Sequence, residues 1–130
     1  MKKLILLTFV LTSILVACDK TEVVLCGDNF EVKKDLPQTV CDIKVQLDSV
    51  QDSRCPDSVQ CVRAGEAIAK LTFTKGSETV SKSLQVSGHS PKPDTVLVFG
   101  KKAILLNVTP YPVAPAQIAQ KDYKVQMKFD

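Results

Sequence analysis

The 130-residue sequence predicts an all-β domain, an antiparallel sandwich of about seven or eight strands held by two disulfides. Three observations predict it. Apolar and polar residues alternate without a break in Cys41-Asp42-Ile43-Lys44-Val45-Gln46-Leu47-Asp48, as in a strand with one buried and one wet face. Turn residues recur at short intervals, as in Lys75-Gly76-Ser77-Glu78 and Gly100-Lys101-Lys102, and no useful length of chain carries an apolar stripe at helical spacing. Cys26, Cys41, Cys55 and Cys61 form an even set suited to pairing.

The chain opens with a segment that is not part of the fold. Lys2 and Lys3 precede an apolar stretch over residues 4 to 16, broken only by Thr8, Thr12 and Ser13. A spanning helix needs about 20 apolar residues, so this stretch reads as an export signal and not as a retained membrane anchor. It closes on Leu15-Val16-Ala17-Cys18, which resembles the bacterial lipobox. The resemblance implies that residues 1 to 17 are a lipoprotein signal peptide, cleaved before Cys18, and that the Cys18 thiol carries a diacylglyceryl group, with acylation of the new amino terminus. More than one acyl chain gives stable anchoring. The expected address is therefore the cell envelope, with the domain lipid-anchored to a membrane, periplasmic or surface-exposed. Residues 18 to 22 would form a short tether and residues 23 to 130 a single domain.

The domain's strands follow in order. A short N-terminal pair is expected at residues 23 to 25 and 30 to 33, then the alternating strand at 41 to 48. Residues 66 to 74 place Ala67, Ala69, Leu71 and Phe73 on one side and lead through the turn at Gly76 into residues 80 to 86, a hairpin. Residues 95 to 99 and 103 to 109 form a second hairpin, whose nearly unbroken apolar runs suggest a place inside the sandwich and not at its edge. In the last strand, residues 123 to 129, Lys124, Gln126 and Lys128 should face water. Proline, which cannot donate into a sheet ladder, puts residues 88 to 94 and 110 to 120 in connections, with one helical turn possible over 115 to 120. This strand count and spacing point to an immunoglobulin-like sandwich of Greek-key or meander order, without the tryptophan of antibody domains.

An exported protein meets oxidising conditions, so two disulfides are expected. Of three possible connectivities, Cys55 with Cys61 and Cys26 with Cys41 are favoured. The first closes a small loop over Pro56-Asp57-Ser58-Val59-Gln60, and the second ties the N-terminal segment to the next strand. The segment from 52 to 65 reads as a rigid corner in which Asp52 and Arg54 bond to backbone groups or to each other, Pro56 fixes a φ angle, and Gly65 takes a conformation closed to other residues. A pre-ordered loop loses less entropy on binding, which makes Asp57, Ser58, Val59 and Gln60 a candidate recognition surface, as in an inhibitor or adhesin. Asp52-Ser53-Arg54-Cys55-Pro56 and Cys61-Val62-Arg63-Ala64-Gly65, together with Pro110-Tyr111-Pro112 and Tyr123-Lys124-Val125, resemble small exported bacterial proteins of unknown function. Their pattern reads D-S-R-C-P, four residues, C-V-W-A-G. Here Arg63 stands where that pattern has tryptophan.

The chemical inventory argues for binding over catalysis. His89 is the sole histidine, in a proline-rich loop with Ser87 and Ser90 near it and Asp94 further on, so a small hydrolase is the enzymatic alternative. No carboxylate pair for acid–base work stands out. Zinc-type paired cysteines and C-x-x-C are absent, and no cofactor is implied. Asp48, Asp52 and Asp57 could meet around the corner as oxygen ligands, but their spacing does not match an EF-hand, and no metal is assigned. Removing residues 1 to 17 takes away Lys2 and Lys3 and leaves 15 basic side chains against 14 acidic ones. Such a near-neutral surface lacks the clustered charge that nucleic acid requires. Asp48-Ser49-Val50, Asp57-Ser58-Val59 and Asp94-Thr95-Val96 resemble a short bacterial O-glycosylation acceptor; Asn107-Val108-Thr109 matches the N-linked one, but its place in an apolar strand and the bacterial reading argue against use. The function expected is a non-enzymatic binding or envelope-associated module, its partners the membrane through the anchor and an envelope or extracellular protein.

Overall fold

The computed structural model describes residues 24 to 88 and 92 to 130. The signal segment, Cys18, the tether, His89 and Ser90 lie outside the described residues. Eight strands form two four-stranded antiparallel sheets: β1 (Phe30–Lys33), β2 (Gln38–Val40), β3 (Ile43–Asp52), β4 (Glu66–Lys75), β5 (Glu78–Ser87), β6 (Asp94–Val98), β7 (Lys101–Thr109) and β8 (Lys124–Phe129). One sheet is the meander β2-β3-β4-β5, and the other runs β1-β8-β7-β6, so β5, β6, β1 and β2 are edges. The inward faces meet in one core. Its centre stacks Phe30 on Phe129 at 5.5 Å and sets Phe73 against the edge of that ring at 6.4 Å. Both disulfides, Cys26–Cys41 and Cys55–Cys61, are formed.

The sequence pattern explains most of these elements, and the departures have physical causes. Residues 24 and 25 are not a strand: Val24 makes only an isolated bridge to Val40, because Cys26 is tied to Cys41 and the chain turns at once. β3 starts at Ile43 and not at 41, since Cys41 and Asp42 both adopt left-handed conformations in the turn from β2. β2 itself was not expected, being only three residues long. β6 is an edge strand in spite of its apolar sequence, and Leu97 stands 67% exposed on it. An unbroken apolar run therefore marks the centre only for β7, which pairs on both sides. The last strand opens at Lys124, with Lys124 and Gln126 exposed as expected. The helical turn lies at Gln120–Asp122, one step beyond the proline-led segment that suggested it.

Two bulges shape one end of the sandwich. In β3 the register slips between Leu47 and Ser49, and in β7 between Leu105 and Asn107. Each inserts one residue and flips the inward parity. In β3 the inward residues are Ile43, Val45 and Leu47 before the bulge and Val50 after it, which turns Asp52 inward too. β3 also sets the two disulfides apart. Cys41 precedes its first residue and Cys55 follows its last, so its ten residues hold the two bridges about 30 Å apart. Val24, where the described chain begins, sits with the first bridge.

Candidate functional site

The corner after β3 is built around a buried ion pair. Arg54 is 4% exposed, and its Nε and Nη2 donate to Asp52 Oδ1 and Oδ2 at 2.8 and 2.5 Å. Nη1 donates to the Val108 carbonyl at 2.7 Å and Nη2 to that of Pro110 at 2.9 Å. The planar fork thus joins the carboxylate of one sheet to the backbone end of the other, which a lysine point charge cannot do. Tyr111 lies against the guanidinium, with its ring centre 4.7 Å away. Asp52 Oδ2 accepts a further bond from the Tyr123 hydroxyl at 3.1 Å, and Oδ1 one from the Arg54 amide. The expected pairing of Asp52 with Arg54 is therefore present. Its burial and its reach to β7 could not be foreseen, because they depend on the β3 bulge.

Burial, followed by the nearby Asp52 charge and the hydrogen bond to it, raises the Tyr123 hydroxyl from 10.0 to about 12, with Arg54 opposing. A proton held more tightly in the folded state stabilises the fold fully below the unfolded pKa, and that contribution is lost as pH rises through the folded one. Stability should therefore fall between about pH 10 and 12, and Tyr123→Phe should flatten that fall. Denaturant midpoints of both proteins across this range test it; equal pH slopes would refute the assignment.

Outside this lock lies the disulfide loop. The Val59 amide donates to the Pro56 carbonyl, closing a tight turn. The Asp57 amide donates to Pro112 O at 3.2 Å, while Ser58 Oγ accepts from the Ala114 amide at 3.0 Å and donates to its carbonyl at 3.3 Å. The loop is thus pinned to the proline-rich segment before β8, which has cis peptides at Thr109-Pro110 and Ala114-Pro115. Of the four loop residues expected to form a recognition surface, Ser58 faces this segment, and Asp57, Val59 and Gln60 stand in solvent. Sequence reasoning missed two neighbours. Val62 is fully exposed and Val113 is 52% exposed. The missing signal was one of context, since a valine between turn residues outside any alternating run has no core face to join.

The end of the sandwich also carries a cleft of about 320 Å³ between the corner and residues 112 to 123, lined in part by Arg54, Ile118 and Gln120. Several of its polar groups are already engaged: Gln120 bonds the Val50 amide and carbonyl at 2.9 and 2.8 Å, and Arg54, Asp52 and Tyr123 are held as described. Elsewhere Asp48 accepts from Thr72 at 2.7 Å, and among the described residues no three His, Cys, Asp or Glu side chains converge as metal ligands. Asp94 accepts from the Gln85 and Thr95 amides, which holds it as a backbone cap. Ser49 is half-buried in the β3 bulge, Thr95 is exposed on β6, and the Asn107 side chain accepts from the Val108 amide. Among the described residues no helix is long and apolar enough to cross a membrane. No protein-family model, curated protein or solved structure matches the chain.

Proposed function

We propose that the chain is an exported, lipid-anchored binding protein that presents the Cys55–Cys61 end of its sandwich to another protein of the envelope or its surroundings. The observation that carries this reading is polarity. Val24 and the first disulfide stand at the start of β3, and the constrained loop stands beyond its end, about 30 Å away. An anchor at Cys18 joins the domain only a few residues before Val24, so the loop end points away from the membrane. Val59, Val62 and Val113 supply exposed apolar area there, on segments stiffened by a disulfide, prolines and the Arg54 lock. A rigid surface loses little entropy on docking. A shared membrane also raises the effective concentration of a partner, so a small contact suffices.

A photo-crosslinking side chain at Val62 should capture a protein in intact cells, and one at Leu97, also exposed but on β6, should not. Val59→Asp combined with Val62→Asp should reduce the capture at least about tenfold while changing stability by less than about 0.5 kcal/mol, as for other exposed sites. Equal capture from both positions would remove the loop end from consideration.

A further inference from the structure

We propose that β5 is a dimerisation edge, and that two copies of this chain pair their β5 strands antiparallel about a two-fold axis at Ser81. β5 is ten residues long, contains no proline, and ends its sheet with β4 on one side only. The phase of its backbone follows from one hydrogen bond. The Gln85 amide points away from β4 and donates to Asp94 Oδ2 at 2.9 Å. Residues of the same parity, Thr79, Ser81 and Ser83, therefore turn their amides and carbonyls to the open edge, while Val80, Lys82 and Leu84 bond to β4. No described residue pairs with that edge.

The free segment is bounded on both sides. Asp94 covers the edge at Gln85, and the turn at Gly76 and Ser77 ends it before Glu78. Its centre is Ser81. Pairing a second copy about that residue sets Ser81 against Ser81 and Thr79 against Ser83, and every outward amide then meets a carbonyl, about six hydrogen bonds in all. A shift by one residue would instead oppose outward amides to residues already bonded to β4.

Side chains agree with this register. Ser81 already meets Thr72 at 3.1 Å, so a row Thr72-Ser81-Ser81-Thr72 would cross the joint, with hydroxyl groups able to donate and accept along it. Each copy brings one Glu78 and one Lys82, a net charge of zero. Lys82 falls diagonal to Glu78 of the second copy as well as to Lys82 of that copy, so attraction offsets repulsion. A closed two-fold contact would satisfy the outward amides and carbonyls of Thr79, Ser81 and Ser83 without opening a fibre.

The test is a charge swap in the full chain. Two differently tagged copies are co-expressed in a bacterial host and extracted in mild detergent, and capture of one tag is scored for the other. Wild-type copies should co-purify. Ser81→Lys in both copies, or Ser81→Glu in both, should reduce co-purification at least about tenfold, because like charges then stand directly opposed. One Ser81→Lys copy with one Ser81→Glu copy should restore it, which also shows that each variant folds. Gln46→Lys, exposed on the same face but away from the edge, should change nothing. Wild-type copies that fail to co-purify, or Ser81 variants that co-purify regardless of charge combination, would overturn the proposal.

Discussion

Replacing Arg54 with methionine lowers the stability of the domain by about 3 to 5 kcal/mol, the usual cost of removing one member of a buried ion pair. The loss has two parts. Asp52 keeps a carboxylate whose side chain is 5% exposed and loses its charged partner with both guanidinium hydrogen bonds, retaining only the Tyr123 hydroxyl and the local amide. The Val108 and Pro110 carbonyls also lose their donor, so the end of β7 is no longer joined to the corner. Arg54→Lys should be nearly as damaging, since one ammonium cannot reach the carboxylate and both carbonyls at once. Arg54→Met with Asp52→Asn should recover part of the loss, because no unpaired charge is then buried. Urea unfolding of the three variants decides the matter. A loss below about 1 kcal/mol for Arg54→Met would mean that water reaches Asp52 and the pair is not a lock.

The second large effect is expected at Gly65. A β-carbon built there lies 1.8 Å from the Ser53 carbonyl oxygen and 2.6 Å from its carbon, at a φ of +68. Those are backbone atoms, pinned by the Ser53 amide to Glu66 O and by the Cys55 amide to Ala64 O, both at 2.8 Å. They cannot swing aside as a flexible side chain would. Gly65→Ala should therefore cost at least about 3 kcal/mol, combining left-handed strain with displacement of the corner. Gly76→Ala isolates the first contribution: its φ is +60 and nothing lies within 4 Å of the added carbon, so about 1 to 2 kcal/mol is expected. Thermal or denaturant unfolding should rank the two clearly, and equal losses would mean that the close approach at Ser53 relaxes freely. Arg54 and Gly65 serve one corner, so their losses should combine to less than their sum.

Much of the sandwich was legible in local pattern. Ile43, Val45 and Leu47 alternate with polar residues because one face meets the core, and the β4–β5 hairpin follows from Gly76 between two alternating runs. The even cysteine set and the size of the loop from Cys55 to Cys61 led to the observed pairing. What escaped is non-local. The edge position of β6 depends on which strands lie beside it, and apolar content says little about that when Val96 and Val98 pack inward and Leu97 does not. The candidate site was half visible. Asp57, Val59 and Gln60 stood out through the flanking cysteines, whereas Val113 joins them only because Ser58 and Ala114 bond across 56 positions of sequence.

The bulge in β3 has a consequence for how the sequence can change in length. The two halves of the strand are out of phase by one residue, with Leu47 and Val50 both inward around Asp48 and Ser49. Deleting either of those two residues would restore simple alternation across the whole strand. Val50 and Asp52 would both keep their inward faces, since one residue would then stand between Leu47 and Val50 and the pairing of Val50 with Ala69 and of Asp52 with Ala67 would be unchanged. Loss of Gln51 would instead leave Val50 and Asp52 consecutive and on opposite faces, so the place of a deletion, and not the shortening itself, decides whether the buried pair of Asp52 with Arg54 survives.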